Sequence, residues 1–464
     1  MRRTKIVATL GPSSSSYKNI RALAMTGVNV FRVNFSHGDI QQYQDAFENI
    51  KSVREELNLP ISIMADTRGP ELRICEFEGG SASIKRGATF VLYYDSVLGN
   101  QSGASVTHKE CLTVLKRGDI VLANDGLMKF KVEDNTDLGV VMRAQNSGVL
   151  KNHKSIYLKN IPLKLPYLNE LDERDLKWCI ANGCDLIAMS FVNEVSDVQA
   201  IKKLLPEKNM PRLIAKIESS RGVENVDAIL DHCDGLMVAR GDLGVEIAQG
   251  RLPKIQHILI DKARRKSKIS IVATEMLESM ISSLRPTRAE INDVANAVYQ
   301  GASAVMLSAE TAVGVNPIRA VKTMSDIATQ AEKDINYLSD YQKMAFVPHN
   351  ITDILGSTTV ETAFKINAKA IVIYTDHGKI ATLLSRYQPK CPIVAITAND
   401  STYNYLAVAR DVMPVKTDRI PDDIFTYSCD VVKNIGVAKP GDRIIVTTGT
   451  TDNVSLVLKI AEIK

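Results

Sequence analysis

The chain has 464 residues, of which 45% are hydrophobic and 24% charged, and its 57 basic and 53 acidic residues leave a net charge of +4. That length exceeds what one core ordinarily serves, so two or three domains are expected, and the near balance of charge argues against a nucleic-acid binder. The seven cysteines form no C-x-x-C pair and the histidines no H-x-x-x-H pattern, which argues against a disulfide frame or zinc site and for reduced thiols in a cytoplasmic protein.

At the amino terminus Arg2 and Arg3 precede an apolar run that Gly11-Pro12 breaks, too short for a signal peptide. No stretch reaches the roughly 18 apolar residues of a membrane span, so no membrane partner is expected. Short apolar runs then recur at 5–10, 28–35, 61–66, 186–191, 212–217, 235–240, 269–274 and 304–309. They show little alternation, as strands covered on both faces do. Helical patterns lie between most of them: Tyr17–Met25 with a cap among Ser13–Ser16, then Gln41–Leu57, Glu173–Asn182, Val195–Leu205, Val223–Asp231 and Pro253–Lys266. Strands alternating with helices in this way predict an α/β (β/α)8 barrel over 1–69 and 167–338. Between 70 and 166 Val, Thr, Tyr and Gly-rich turns replace helical periodicity, so a small all-β domain is expected to be inserted there. Alternation resumes over 339–464, with strands at 370–375, 392–397 and 442–448, which predicts a separate carboxyl-terminal α/β domain joined through Asn336 to Asn350.

Barrels of this kind carry their chemistry at the carboxyl ends of the strands. Those ends hold Arg32, Asn34, Ser36 and His37, then Asp66, Thr67 and Arg68, then Ser190. Lys216 and Glu218 follow, then Arg240 and Asp242, Thr274 and Glu275, and finally Ser308, Glu310 and Thr311. Glu218 and Asp242 suit Mg2+, which takes one or two carboxylates and completes its octahedron with water and substrate oxygens. Lys216 beside them, and Arg32 with its forked donors, suit a phosphoryl group. Asn34, Ser36, Asp66 and Thr67 are oxygen donors with a single carboxylate, as a monovalent cation such as K+ prefers; a hydrogen-bonded turn network is the alternative. Lys216 with Glu218 reads equally as a structural ion pair, and Thr274 as a buried hydroxyl. No P-loop or dinucleotide fingerprint accompanies a strand.

The segments KIVATLGPSS, NVFRVNFSHGD, MADTRGPELR, NDGL, AKIES, MVARGDLGVE, ATEMLESMI, RPTRAEINDVANAV and AVMLSAETAVG, in this order from residue 4 to about 340, resemble the pyruvate kinase family, in its bacterial type. The resemblance implies phosphoryl transfer from phosphoenolpyruvate to ADP, giving pyruvate and ATP, with Mg2+ and K+ as cofactors. It implies Mg2+ on Glu218 and Asp242, and K+ on Asn34, Ser36, Asp66 and Thr67. Arg32 and Lys216 are expected on the migrating phosphoryl group, Lys216 as its bridging charge and not as a partner of Glu218. Gly241, Asp242, Thr274 and Ser190 are expected around the substrate, the Gly241 amide being open to an anion. Asn34, Arg73 and Lys154 are expected on the nucleotide, with Asp125 facing the cleft. Thr274 and attached water are the expected proton source for the enolate. Glu71 stands where the family places a Glu in K+-dependent members. The β domain is expected to close as a lid. Departures are Arg68 for Lys, Glu275 for Gln, Ala309 for Gly, and YLKN (157–160) in place of N-L-P-G. The carboxyl-terminal domain resembles the family's effector domain, and Thr375, Lys379 and Thr450 are the residues expected to hold a phosphorylated effector. The family's usual state is a homotetramer. A metal-dependent barrel lyase acting on an enolate would share Glu218 and Asp242 but would need neither lid nor Arg73; an inactive scaffold would be expected to lose Lys216 or a metal carboxylate.

Overall fold

The structure, a computed structural model, describes all residues except 1, 37, 160, 162, 164, 209, 345–347, 349, 419–421 and 449–456. Eight parallel strands close into a barrel: β1 (Lys5–Thr9), β2 (Val30–Asn34), β3 (Ser62–Asp66), β4 (Leu186–Met189), β5 (Arg212–Ile217), β6 (Gly235–Ala239), β7 (Ile269–Ala273) and β8 (Ala304–Leu307). Closure is made where β1 pairs with both β2 (Val7↔Val30) and β8 (Lys5↔Ala304). Every run expected to be a strand is one, mostly trimmed by one or two residues at its ends. Residues 5–9, 62–66, 235–239 and 269–273 are buried along their whole length, which is why they lack the alternation of a half-exposed strand.

Helices wrap the barrel, and Ser16 and Asp39 cap the first two by accepting from Asn19 and Gln42 amides. The expected helix over 223–231 is two, Ser220–Glu224 and Val226–His232, meeting at Asn225. Arg240–Glu246, read as the end of a strand and its loop, is a helix starting directly after β6. The stretch expected as a plain junction also contains a helix, Tyr337–Lys343.

The residues between β3 and β4 build a seven-stranded sheet and a two-stranded ribbon around their own apolar cluster. The sheet's outer pair on the barrel side is Leu72–Arg73 against Ser155–Leu158. Beyond the barrel, the strands at Ala370–Tyr374, Ile393–Thr397 and Arg443–Thr448 form the centre of a five-stranded sheet. Its two edges, Val412–Lys416 and the antiparallel Val457–Glu462, were not expected; Pro414 suits an edge position. This domain packs beneath the barrel, and one apolar cluster runs from Val7 and Met64 inside the barrel to Ile371 and Ile445. Arg410, 2% exposed, ties the two by donating to Thr4 Oγ1 and to the Ala302 carbonyl, each at 3.0 Å. Among the described residues no helix is long and apolar enough to cross a membrane.

Candidate active site

The carboxyl ends of β2 to β6 converge on one buried ionic cluster. Lys216 and Glu218 lie two residues apart at the end of β5, so an extended backbone sends both side chains the same way. Lys216 Nζ lies 3.1 Å from Glu218 Oε1, 3.2 Å from Asp66 Oδ1 and 2.7 Å from Ser190 Oγ. The expectation that Lys216 is no partner of Glu218 is therefore corrected: it holds both Glu218 and Asp66, because two buried carboxylates flank its only escape from low dielectric. Arg32 Nε donates to the other Asp66 oxygen at 2.5 Å, and its Nη1 to Thr9 Oγ1 at 3.0 Å. Burial works against ionisation of Asp66, but Arg32 and Lys216 outweigh it and hold its carboxyl below the usual range. Burial likewise opposes the charge on Lys216, while Asp66 and Glu218 overcome it and keep the ammonium protonated.

Glu218 is 2% exposed and accepts from the Phe191 amide at 2.6 Å. Burial pushes its carboxyl up, with Lys216 opposing and Asp242 reinforcing. Glu246 is pushed up to about 7 by burial and then by Asp242, and Glu71 is raised by burial despite Arg73. Arg32, Lys216 and the carboxylates of Asp66, Glu218 and Asp242 together carry an excess negative charge. A divalent cation reverses that sign and prepares the cluster for an anionic substrate, so the donors fit such an ion. Among the described residues no group of three or more His, Cys, Asp or Glu side chains gathers to hold a metal alone. Two carboxylates with substrate and water oxygens remain the fitting arrangement.

Asp242 lies in the first turn of the Arg240–Glu246 helix, and its Oδ1 accepts from the Tyr157 hydroxyl of the inserted domain at 2.6 Å. Burial and Asp242 raise the Tyr157 phenol well above its ordinary value, so it stays a donor. Thr274 and Glu275 follow β7 with φ of +68° and +53°, a costly conformation for a β-branched residue. Arg240 holds this turn: its guanidinium donates to the Ala273 carbonyl at 3.1 Å and the Thr274 carbonyl at 2.5 Å, and pairs with Asp293 at 2.6 Å. Sequence reasoning placed Arg240 on the rim and missed this role, for which the only sequence signal is a charged residue closing a wholly apolar strand. The Gly241 amide, expected to meet an anion, donates to Thr274 Oγ1 at 2.8 Å.

The other expected residues are spread over the barrel mouth, the inserted domain and the carboxyl-terminal domain. Ser190, 1% exposed, sits beneath Lys216 and gives its own proton to the Thr67 carbonyl at 2.6 Å. Asn34 lies opposite Asp66 in register and accepts from the Ser36 amide at 3.0 Å, while Thr67 Oγ1 accepts from the Ser190 amide at 3.0 Å. On the inserted domain, Arg73 clasps Glu71 at 2.7 Å and the His153 carbonyl at 2.8 Å, and Lys154 pairs with Asp125 at 3.0 Å. Glu310 and Thr311, counted on the rim, are buried supports: Glu310 accepts from the Leu277 and Ser308 amides, and Thr311 donates to the Thr9 carbonyl. Arg68 is held by Asp175 at 2.5 Å, and Glu275 is exposed. Thr375 Oγ1 accepts from the Gly378 amide at 2.9 Å, capping its own turn, and Lys379 is exposed. His37, Asn160 and Thr450 lie outside the described residues.

A cavity of about 670 Å³ opens at the junction of barrel and inserted domain, with Glu71, Tyr157, Phe191 and Glu246 among its walls. Two family models match the chain: the pyruvate kinase barrel domain over residues 1–321 and the pyruvate kinase alpha/beta domain over 353–461. The chain belongs to the pyruvate kinase family. It is 40% identical over 458 residues to a pyruvate kinase of Bacillus licheniformis, covering 97% of this chain and 78% of that one. To a pyruvate kinase of Clostridium acetobutylicum it is 36% identical over 461 residues, covering 98% of each. The crystal structure of a pyruvate kinase from Cryptosporidium parvum matches with a TM-score of 0.94 at 34% identity, over 100% of this chain and 96% of that one. The enzyme transfers the phosphoryl group of phosphoenolpyruvate to ADP, giving pyruvate and ATP, as its family does in glycolysis. Pyruvate kinases depend on a divalent metal and a monovalent cation, and the excess negative charge at Glu218 and Asp242 matches the first of these needs.

Proposed function

We propose that Lys216 and Arg32 are the charges that carry phosphoryl transfer, with Mg2+ on Glu218 and Asp242 and K+ among Asn34, Ser36, Asp66 and Thr67. The observation that carries this reading is Lys216 Nζ held between Asp66 and Glu218 at 3.2 and 3.1 Å, with Arg32 on the same Asp66. The cluster is rigid and already desolvated, so its charges need no reorganisation when the substrate arrives. A β-phosphate oxygen of ADP attacks phosphorus, and the bond from phosphorus to the enol oxygen breaks. Lys216 and Arg32 neutralise the equatorial oxygens, which is most of what this reaction asks of a protein. Glu218 and Asp242 would hold a divalent cation, which when bound would supply Lewis-acid stabilisation of negative charge beside Lys216. Lys216 stays protonated against the enolate, which takes at carbon a proton delivered from water attached at Thr274, leaving that water's hydroxide to be reprotonated by solvent. The strained Thr274 backbone, fixed by Arg240, supports a role for that turn. Arg73 and Lys154, on the inserted domain, face the nucleotide phosphates once Glu71 and Asp125 release them, and closure of this domain excludes water.

Residues 70–166 then act as the lid, 1–69 with 167–338 as the catalytic barrel, and 339–464 as the domain for assembly into a homotetramer and for a phosphorylated effector. The exposed Lys379 supports the effector reading; Thr375 must give up its own turn to join it. The reduced cysteines support a cytoplasmic location. The test is pyruvate and ATP formation from phosphoenolpyruvate and ADP with Mg2+ and K+ omitted in turn, then with sugar phosphates and AMP added. Full activity without Mg2+ overturns the metal assignment, and indifference to K+ overturns the reading of Glu71.

A further inference from the structure

Tyr157 has no part in the phosphoryl transfer, yet among the described residues it makes the one side-chain hydrogen bond to Asp242. It lies on Ser155–Leu158, the lid strand paired with Leu72–Arg73 on one side and with Ile120–Ala123 on the other. Ile156 and Leu158 belong to the lid's apolar core, so the period of two turns Tyr157 the opposite way, toward the barrel mouth. It is 8% exposed, and its hydroxyl reaches Asp242 Oδ1 at 2.6 Å across 85 residues of sequence. Gly126 of the lid lies near the same short helix: a Cβ added there would stand 3.2 Å from Val245 Cγ1. The lid thus bonds to Arg240–Glu246 at the carboxylate assigned to the metal. Where the family's N-L-P-G turn is expected the chain reads YLKN, and the tyrosine hydroxyl is the group that reaches Asp242.

We propose that Tyr157 is a positioning residue for the divalent cation. Its hydroxyl fixes one oxygen of Asp242 and aims the other, Oδ2, which accepts no hydrogen bond among the described residues, at the ion. A carboxylate has lone pairs enough for both partners. Groups that orient a metal ligand in this way commonly change affinity 10–100-fold when removed. Because the donor belongs to the lid, cation binding and lid docking strengthen each other by the same factor.

This inference rests on the assignment of Asp242 to the metal, and the experiment separates the two. Mn2+ binding to the full-length wild type, Y157F and D242N is measured by the paramagnetic resonance of free Mn2+, with hydrogen exchange of residues 155–158 followed with and without Mn2+. Thermal melting checks that each variant is folded. The expected result is Mn2+ binding about tenfold weaker in Y157F, with Mn2+-induced protection of 155–158 lost, and binding nearly abolished in D242N. Unchanged or tighter Mn2+ binding in Y157F, with D242N still impaired, overturns the role of Tyr157 and leaves the metal site standing. Wild-type binding that D242N does not weaken overturns the metal site and this inference with it.

Discussion

Replacing Lys216 by Met removes the one cation shared by Asp66 and Glu218, at 3.2 and 3.1 Å. At an effective dielectric near 20, each contact is worth about 5 kcal/mol before desolvation is counted. Losing one partner of a buried pair costs about 3–5 kcal/mol net, because the remaining carboxylates keep their desolvation penalty. Asp66 retains Arg32 and Glu218 retains the Phe191 amide, so the fold survives with a loss near the lower end, about 3 kcal/mol. Catalysis suffers separately. Without Lys216 the equatorial oxygens and the enolate lose their fixed counter-charge, and kcat should fall by about 10^3 or more, on the order of 4 kcal/mol of transition-state stabilisation. Pyruvate release coupled to NADH oxidation gives kcat, and denaturant melts give the stability. Turnover of the folded fraction within about tenfold of wild type, alongside the stability loss, would refute the catalytic role and leave Lys216 a purely structural ion pair.

Arg240→Lys keeps the charge but loses the fork that reaches the Ala273 and Thr274 carbonyls. The Thr274 turn should relax, lowering kcat about tenfold or more while Mn2+ binding stays unchanged; an unaltered kcat contradicts the strut. Glu71→Lys sets an ammonium beside the proposed K+ site and supplies the positive charge from the protein itself, so the proposed K+ dependence should be lost, measured as the ratio of rates in K+ and in tetramethylammonium; a ratio equal to wild type contradicts the reading of Glu71. Lys5 is buried against the carboxyl-terminal domain, donating to the Val412 carbonyl at 2.7 Å, and burial followed by Arg2 lowers it from 10.5 to about 8. Between those values the unfolded chain holds the proton and the folded chain does not, so this lysine makes stability rise with pH through that window. Wild type should gain up to about 3 kcal/mol over Lys5→Met between pH 8 and 10.5; parallel stability curves would contradict it.

Barrel strands were legible because burial on both faces leaves uninterrupted apolar runs, and their ends were legible because charge appears where burial stops. That same rule overcounted the rim. Glu310 is fully buried and serves two backbone amides, a role that a charged residue after a strand does not announce. Asp242 looked like a strand end, whereas the chain turns helical at Arg240 and sets the carboxylate in a first helical turn. The pairing of Lys216 with Glu218 was within reach of the period of two, but the third member, Asp66, comes from a strand 150 residues earlier. The left-handed backbone of Thr274 has no local signature, since no glycine marks it. Tyr157 was noticed as a departure, but its partner Asp242 became visible only once the lid strand lay over the barrel mouth. The edge strand at 412–416 was hidden by Pro414, and the closing antiparallel strand by the charged Lys459 and Glu462 that interrupt its apolar run.

The proposed site has Glu218 and Asp242 holding one divalent cation beside Lys216. Crystals of the full-length enzyme grown with Mn2+ and phosphoenolpyruvate, measured at a wavelength where manganese scatters anomalously, test it most directly. The expected result is a single strong peak bonded to an oxygen of each carboxylate, at roughly 2.0–2.3 Å, with the remaining positions filled by substrate and water oxygens. A peak elsewhere, or one touching neither Glu218 nor Asp242, would contradict it.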